Sequence, residues 1–154
     1  MSTESIFNFI RVSESVATGG QPTQAQIETA RAEGVEAVVN PAPHDQQSGA
    51  LPDEEDLVES LGMAYHHIPV EWMMPLKENF TAFVQTMDSL GDRKVLVHCA
   101  ANYRATAFYS TYAMRKHGWS AQQADALIAR IWASRPDVHM DETWRTFLEE
   151  IRKF

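Results

Sequence analysis

The chain has 154 residues, of which 44% are hydrophobic, so its length suits one packed domain over residues 1–154. No apolar run approaches the roughly 20 residues that a membrane-spanning helix needs, and the net charge of −8 disfavours binding to nucleic acid or to anionic membranes. Cys99 is the one cysteine, which excludes an internal disulfide, and the N-terminus lacks the features of a secretory signal, so the sequence predicts a cytoplasmic protein.

The first third of the chain alternates predicted strands with predicted helices. Strands are predicted from apolar alternation or β-branched runs, and helices from capping residues before a helical pattern. In chain order these elements are a strand over 7–12, a strand from Val16 that ends in a turn at Gly19 and Gly20, a helix over 23–33, a strand over 35–39 and a loop over 40–52. The acidic run 53–56 then predicts a helix start, where carboxylates favour the positive end of the helix dipole.

The rest of the chain continues this alternation and ends in helices. The predicted elements are a strand over 63–69, a helix over 76–90, a short central strand over 95–97, a helix over 105–117, a helix over 120–134 and a final helix from Asp141. Strands that alternate with helices indicate an α/β fold. We expect a central, mostly parallel sheet of about four to five strands, flanked by helices.

Cys99 lies between the predicted central strand and the following helix. A loop in that position can turn backbone N–H groups inward and form a concavity that binds an oxyanion. Helix N-termini and nearby cations also favour the thiolate form of a cysteine, so Cys99 is a candidate nucleophile. Arg104 adds a planar, charged fork that can bind two oxygens of a phosphate. The intervening residues are the candidate anion-binding groups, namely Ala100, Ala101, Asn102 and Tyr103.

Each of these residues also has an ordinary structural interpretation. A lone cysteine after an apolar strand is more often an inert buried residue than a nucleophile. His98 alone would be a packed residue at a strand end, and Arg104 alone a solvated charge in the first turn of a helix. Tyr103 fits either a pocket wall or the core. The combination of His98, Cys99 and Arg104 in one strand, loop and helix favours an anion site.

This segment resembles the active-site loop of the cysteine-dependent protein phosphatase superfamily, most closely its dual-specificity branch and the related small bacterial phosphatase-like domains. Weaker similarity covers most of the chain, at residues 18–22, 38–40, 65–70, 118–131 and 134–136. The resemblance implies a dual-specificity-phosphatase-like fold. It also implies hydrolysis of phosphomonoesters through a cysteinyl-phosphate intermediate, without a metal or cofactor, on a phosphorylated small molecule or a phosphoprotein.

The active-site loop departs from the family pattern in length and in two residues. Four residues separate Cys99 from Arg104, where the family has five. Ala105 replaces the usual Ser or Thr, and Thr106 follows one place later as a candidate supporting residue. Asn102 stands where the family has a glycine, and Asn tolerates left-handed backbone better than most residues. The short loop therefore predicts anion binding with weak turnover.

The family places a general acid on the loop after the strand predicted over 63–69. Glu71 is the first carboxylate there, and it is a candidate catalytic acid or, alternatively, a solvated charge beside Trp72. No metal site is expected, because the adjacent His66 and His67 would face opposite sides of a strand. The other loop histidines are scattered at His44 and His139, and the acidic run lacks the spaced ligands of a calcium loop.

Two alternatives to phosphatase activity remain open from the sequence. Rhodanese-like sulfurtransferases also carry a cysteine loop at a helix start, and their loop is similarly short. They usually return to another strand after the helix that follows this loop, whereas no strand is predicted after Val97. A module that binds a phosphorylated or other anionic partner without catalysis is the second alternative. The sequence leaves the substrate and the oligomeric state undefined.

Overall fold

The computed structural model describes residues 2–43, 50–133 and 142–153. Its strands form one five-stranded sheet in the order β1-β2-β5-β3-β4. The strands are β1 Ile10–Arg11, β2 Val16–Gly19, β3 Ala37–Asn40, β4 Ala64–His67 and β5 Val95–His98. Only the β1 and β2 pair is antiparallel, and the other three pairs are parallel. The predicted α/β fold with a mostly parallel sheet is therefore confirmed.

Six α-helices accompany the sheet in the described residues. They are α1 Gln24–Ala32, α2 Glu54–Ser60, α3 Lys77–Leu90, α4 Tyr103–Lys116, α5 Ala121–Trp132 and α6 Glu142–Ile151. Both predicted capping boxes are present, because Thr23 caps Gln26 at the start of α1 and Ser120 caps Gln123 at the start of α5. No helix in this part of the chain is long and apolar enough to cross a membrane.

The core lies on both faces of the sheet, because side chains alternate along each strand. Val38 of β3 and Leu96 of β5 pack on one face, in a cluster that includes Ile27 of α1 and Val58 of α2. Their neighbours along the strands, Val39 and Val97, pack on the other face. That second cluster is the larger one and contains aromatic residues of α3, α4 and α6, among them Phe80, Phe83, Phe108, Trp144 and Phe147.

Strand β5 occupies the centre of the sheet, as predicted, and all its residues are buried. It lies between β2 and β3, with His98 opposite Gly19 and Val97 opposite Val39. Parallel strands bring their carboxyl ends to the same edge of a sheet. The loops that follow β2, β3, β4 and β5 therefore converge at the edge where Cys99 lies.

Two predictions near the N-terminus differ from the structure. The strand predicted over 7–12 is only Ile10–Arg11, because Asn8 takes a left-handed backbone with φ of 53°. Gly19 and Gly20 form no turn after Val16; Gly19 ends β2, and the Gly20 backbone approaches the Cys99 loop. A Cβ atom at Gly20 would lie 2.8 Å from the Ala100 carbonyl oxygen, so this approach requires glycine.

The remaining differences concern where a helix and a loop begin. The helix predicted over 105–117 begins two residues earlier, at Tyr103, directly after the left-handed Asn102. The predictions for His44, His139, Asp141 and residues 134–136 lie outside the described residues. The predicted loop over 40–52 begins one residue later than expected, because Asn40 is the last residue of β3.

Candidate active site

Cys99 lies directly after β5 and is buried, with 1% of its surface exposed. Its backbone N–H donates to the Gly19 carbonyl oxygen over 3.2 Å, which fixes the start of the loop to β2. Its Sγ accepts a hydrogen bond from the N–H of Ala105 in the first turn of α4, over 3.4 Å. The sulfur therefore lies at a helix N-terminus, where amide donors and the helix dipole favour a thiolate.

The carbonyl groups of the Cys99 loop are held on its outer side. The Ala100 oxygen accepts from the Gln21 N–H over 2.9 Å, and the Ala101 oxygen accepts from Asn8 Nδ2 over 3.1 Å. In a planar trans peptide the N–H points away from the carbonyl, so the Ala101 N–H points inward. Within the described part of the chain, the N–H groups of Ala100, Ala101, Tyr103 and Arg104 have no acceptor. These amides are available to an anion.

Asn102 shapes the loop by adopting left-handed backbone, with φ of 72° and ψ of 8°. Its Nδ2 donates to the Asn8 carbonyl oxygen over 2.8 Å and to Thr18 Oγ1 over 3.0 Å. Asn102 thus has the left-handed backbone that its place in the loop led us to expect, and its side chain points to the scaffold. Thr106 is likewise directed at the loop backbone, since its Oγ1 donates to the Asn102 carbonyl oxygen over 2.7 Å.

Arg104 is buried at the end of this loop, with 7% of its surface exposed. Its Nη1 donates to the Val70 carbonyl oxygen over 3.0 Å, and its guanidinium lies 5.8 Å from the centre of the Trp72 ring. Its Nε–H is buried and has no hydrogen-bond partner. A buried donor without a partner costs about 1–3 kcal/mol. A bound oxyanion would provide the missing acceptor.

An aromatic cluster holds the loop after β4 against this site. The Trp72 ring lies 5.5 Å from Trp132, 5.1 Å from Trp144 and 6.0 Å from Tyr103, measured between ring centres. Trp144 Nε1 also donates to the Trp72 carbonyl oxygen over 2.8 Å. Helices α5 and α6 thereby fix the loop that supplies the Val70 carbonyl to Arg104. Tyr103 packs against this aromatic cluster at the edge of the core, which was one of its two predicted places.

Glu71 follows Val70 and is exposed. Its carbonyl oxygen accepts from the Met74 N–H over 3.2 Å, so the loop turns tightly there. Glu71 is thus one residue from the carbonyl that holds Arg104, and among the described residues its carboxylate makes no hydrogen bond.

His98 and Glu54 form a buried pair behind the Cys99 loop. His98 Nε2 lies 2.6 Å from Glu54 Oε2, and the two side chains are 0% and 1% exposed. The acidic run 53–56 does lie at a helix start, because α2 begins at Glu54, and the Glu54 side chain is in addition buried against His98. One available sequence signal was that Glu54 is one helical turn before Val58, which is also buried.

A network of donors surrounds the Glu54 carboxylate. Gln21 Nε2 donates to Glu54 Oε1 over 2.7 Å, and the Tyr65 hydroxyl also bonds to this carboxylate. Burial raises the pKa of Glu54, but the charge of His98 and the hydrogen bonds from His98, Gln21 and Tyr65 outweigh it and hold that pKa below its usual range. The carboxylate is therefore ionised at neutral pH.

Comparison with known proteins agrees with this geometry. The chain is 31% identical to a solved structure from Shewanella putrefaciens CN-32 described as "Putative phosphatase (DUF442)". The match covers 96% of this chain and 90% of that one, with a TM-score of 0.84. It is 19% identical to the phosphatase Tk-PTP over 95% and 97% of the two chains, with a TM-score of 0.74. It is 21% identical to PTPMT1 over 94% of each chain, with a TM-score of 0.72.

Among curated proteins, the chain is 28% identical over 102 residues, or 65% of its length, to a "Beta-lactamase hydrolase-like protein" of Agrobacterium fabrum. That alignment spans 23% of the longer relative. No family model matches the chain. Tk-PTP, a kinase-associated phosphatase and PTPMT1 share this architecture, which confirms the expected dual-specificity-phosphatase-like fold. The chain belongs to the DUF442 family.

Proposed function

We propose that this chain hydrolyses phosphomonoesters through a cysteinyl-phosphate intermediate on Cys99. The buried Nε–H of Arg104, which has no partner and lies beside the free loop amides, is the observation that carries the proposal, because a charged donor in this position can bind a phosphate oxygen. The helix amide on Cys99 Sγ supports the same role, since it favours the nucleophilic thiolate. The substrate in this proposal is a phosphorylated small molecule or a phosphoprotein.

The proposed reaction has two displacements at phosphorus. In the first, the Cys99 thiolate forms a P–S bond, the P–O ester bond breaks, and the leaving oxygen takes a proton from Glu71. In the second, water attacks phosphorus and gives a proton to the Glu71 carboxylate, while the P–S bond breaks and restores the thiolate. Arg104 and the free loop amides stabilise the non-bridging oxygens in both steps.

The short loop sets the expected rate. With four residues between Cys99 and Arg104, the loop has one amide fewer than the family pattern provides. Loss of one preorganised oxyanion donor typically lowers turnover by about 10²- to 10³-fold. We therefore expect slow hydrolysis of activated aryl phosphates, together with oxyanion binding that is stronger than this turnover suggests.

Sulfur transfer is less favoured than phosphate hydrolysis. The described residues after β5 form only the helices α4, α5 and α6, whereas a rhodanese-like architecture usually returns to a strand. Parallel assays of p-nitrophenyl phosphate hydrolysis and cyanide-dependent sulfur transfer from thiosulfate separate the two activities. The proposal predicts phosphate release that is abolished in Cys99→Ser. Sulfur transfer alone would contradict it, and phosphate binding without either activity would indicate an anion-binding module.

A further inference from the structure

Three large apolar side chains are exposed on the loop between β4 and α3. Met73, Met74 and Leu76 expose 77%, 63% and 44% of their surface, and the described residues contain only one other exposed side chain of this kind, Phe7. Scattered apolar residues are common at protein surfaces, whereas a group of them on one segment marks a binding surface. Glu71, the candidate acid, lies on the same loop, so this surface adjoins the proposed active site.

A groove of about 470 Å³ runs beside the two methionines. Residues 73–75 form one wall of this methionine groove, and the other wall is a stripe of α6 in which Thr143, Thr146 and Glu150 follow at helical spacing. The buried ring of Phe147 also borders the groove. A volume of roughly several hundred Å³ is typical of clefts that bind a ligand.

The backbone of the methionine wall is fixed by hydrogen bonds. The Met74 N–H donates to the Glu71 carbonyl oxygen over 3.2 Å, and Trp144 Nε1 of α6 donates to the Trp72 carbonyl oxygen over 2.8 Å. The loop and α6, which form the two walls, are therefore joined directly. Methionine side chains are flexible and polarizable, so a fixed backbone still presents a surface that adapts to a partner.

The methionine groove carries negative charge. Glu142 and Glu150 line it, and none of the described residues in its lining is basic. Lys77 Nζ lies 3.3 Å from Glu150 Oε1 and offsets one of the two charges. A second copy of this chain would bring another negative groove and a net charge of −8, and an anionic membrane would repel the same carboxylates. Charge complementarity therefore favours a basic partner.

We propose that the methionine groove docks an apolar, basic segment of a phosphoprotein substrate. Met73 and Met74 contact the apolar side chains of this segment, while Glu142 and Glu150 attract its lysine or arginine residues. The inference deepens the proposed function, because it rests on phosphate hydrolysis at this site and names a protein as the substrate. Binding energy from a segment remote from the phosphate gives specificity among phosphoproteins.

Docking is measured first on the wild-type protein, with fluorescein-labelled peptides that carry no phosphate. One peptide contains leucine and lysine among serine residues, and its partner has glutamate in place of each lysine. By fluorescence polarisation we expect the lysine peptide to bind about tenfold more tightly, with an affinity that falls as salt is added. Equal affinity for the two peptides, or binding of neither, would overturn the inference.

The double variant Met73→Ser with Met74→Ser tests the apolar wall. Loss of these contacts should weaken binding of the lysine peptide about tenfold. Phe7→Ser is the matched control, because Phe7 is also exposed, at 55%, and lies outside the groove. Circular dichroism checks folding. Wild-type affinity in the folded double variant, or an equal loss in Phe7→Ser, would contradict the proposed docking.

Two other occupants of the groove are tested with the same double variant. Binding of the wild type to phosphatidylcholine vesicles, or a dimer detected by sedimentation, would overturn the inference if the two Met→Ser changes abolish it and the lysine peptide does not compete. The first result would indicate a lipid surface, and the second would indicate a second copy of the chain.

The final comparison adds phosphotyrosine to both peptides. The wild type should have a higher kcat/KM for the lysine peptide, and the ratio between the two peptides should fall towards one in Met73→Ser with Met74→Ser. A chain that binds the unphosphorylated lysine peptide as expected but releases no phosphate contradicts only the proposed function. A chain that hydrolyses p-nitrophenyl phosphate but shows no preference between the peptides contradicts only the docking inference.

Discussion

The guanidinium of Arg104 is anchored to the Val70 carbonyl by one of its nitrogens, and a second nitrogen remains free to donate. Nη1 donates to the Val70 carbonyl oxygen over 3.0 Å, while the buried Nε–H has no partner. The contact to Val70 joins the loop after β4 to the loop after β5, so the fork is oriented before any ligand binds. Such preorganisation lowers the cost of anion binding.

Replacement of Arg104 by Lys keeps the charge but removes the fork. An ammonium cannot bond to Val70 and to an anion with the same planar geometry, so we expect the affinity for inorganic phosphate to fall about ten- to a hundredfold. Isothermal titration calorimetry measures this affinity, and the exposed Arg93→Lys is the matched control. Equal affinity in wild type and Arg104→Lys would show that the loop amides alone hold the anion.

Asn102 should contribute to stability through both its backbone and its side chain. Asn102→Ala removes the side-chain bonds to Asn8 and Thr18, and it puts alanine, which tolerates left-handed backbone less well than Asn, at φ of 72°. We therefore expect a loss of about 2–4 kcal/mol in the free energy of unfolding. Asn102→Gly loses the same bonds without the strain and should be about 1 kcal/mol more stable than the Ala variant. Urea denaturation that gives the reverse order contradicts this role.

Glu71→Gln separates a catalytic acid from a solvated charge. If Glu71 protonates the leaving oxygen, hydrolysis of an alkyl phosphate should fall about 10²- to 10⁴-fold, while p-nitrophenyl phosphate, whose leaving group needs no proton, should change much less. Steady-state rates on both substrates measure the difference. Glu78→Gln, at the next carboxylate along the chain, is the control and should change neither rate. An equal loss of rate on both substrates would show that Glu71 is not the general acid.

The hydrogen bonds around Glu54 should make the free energy of unfolding depend on pH. The pKa of Glu54 lies below its ordinary value of 4.5 in the folded chain, so its contribution is fully present above about pH 5 and is lost as the pH falls through the lowered value. Between about pH 5 and pH 2, the free energy of unfolding should therefore fall more steeply for wild type than for Glu54→Gln. Urea titrations across this range that give parallel curves for the two proteins would contradict the assignment.

Local signals in the sequence predicted the framework well. The capping boxes at Thr23 and Ser120, and the apolar residues before Cys99, act over a few residues, and the structure has helices and the central strand where they indicate. The left-handed Asn102 was predicted for the same reason, because backbone conformation at one residue depends mainly on its own side chain.

Long-range contacts were not predictable from these signals. Glu54 and His98 are 44 residues apart in the sequence. They meet because β5 packs beside β3 with α2 on one face of the sheet, and this packing buries Glu54 while its neighbours in the acidic run stay exposed. Asn102 Nδ2 donates to the Asn8 carbonyl oxygen, 94 residues away, and Asn8 Nδ2 donates to the Ala101 carbonyl oxygen, 93 residues away. Periodicity and composition carry no information about which polar residues meet at such distances.

Trapping of the covalent intermediate tests the central claim most directly. The protein is mixed with a radiolabelled aryl phosphate, quenched in acid within the first turnover and digested, and the labelled peptide is identified by mass spectrometry. We predict one phosphoryl group on the peptide that contains Cys99, its loss in Cys99→Ser, and its decay at the rate of phosphate release. Phosphate release without label on Cys99, or undiminished release by Cys99→Ser, would contradict the proposed mechanism.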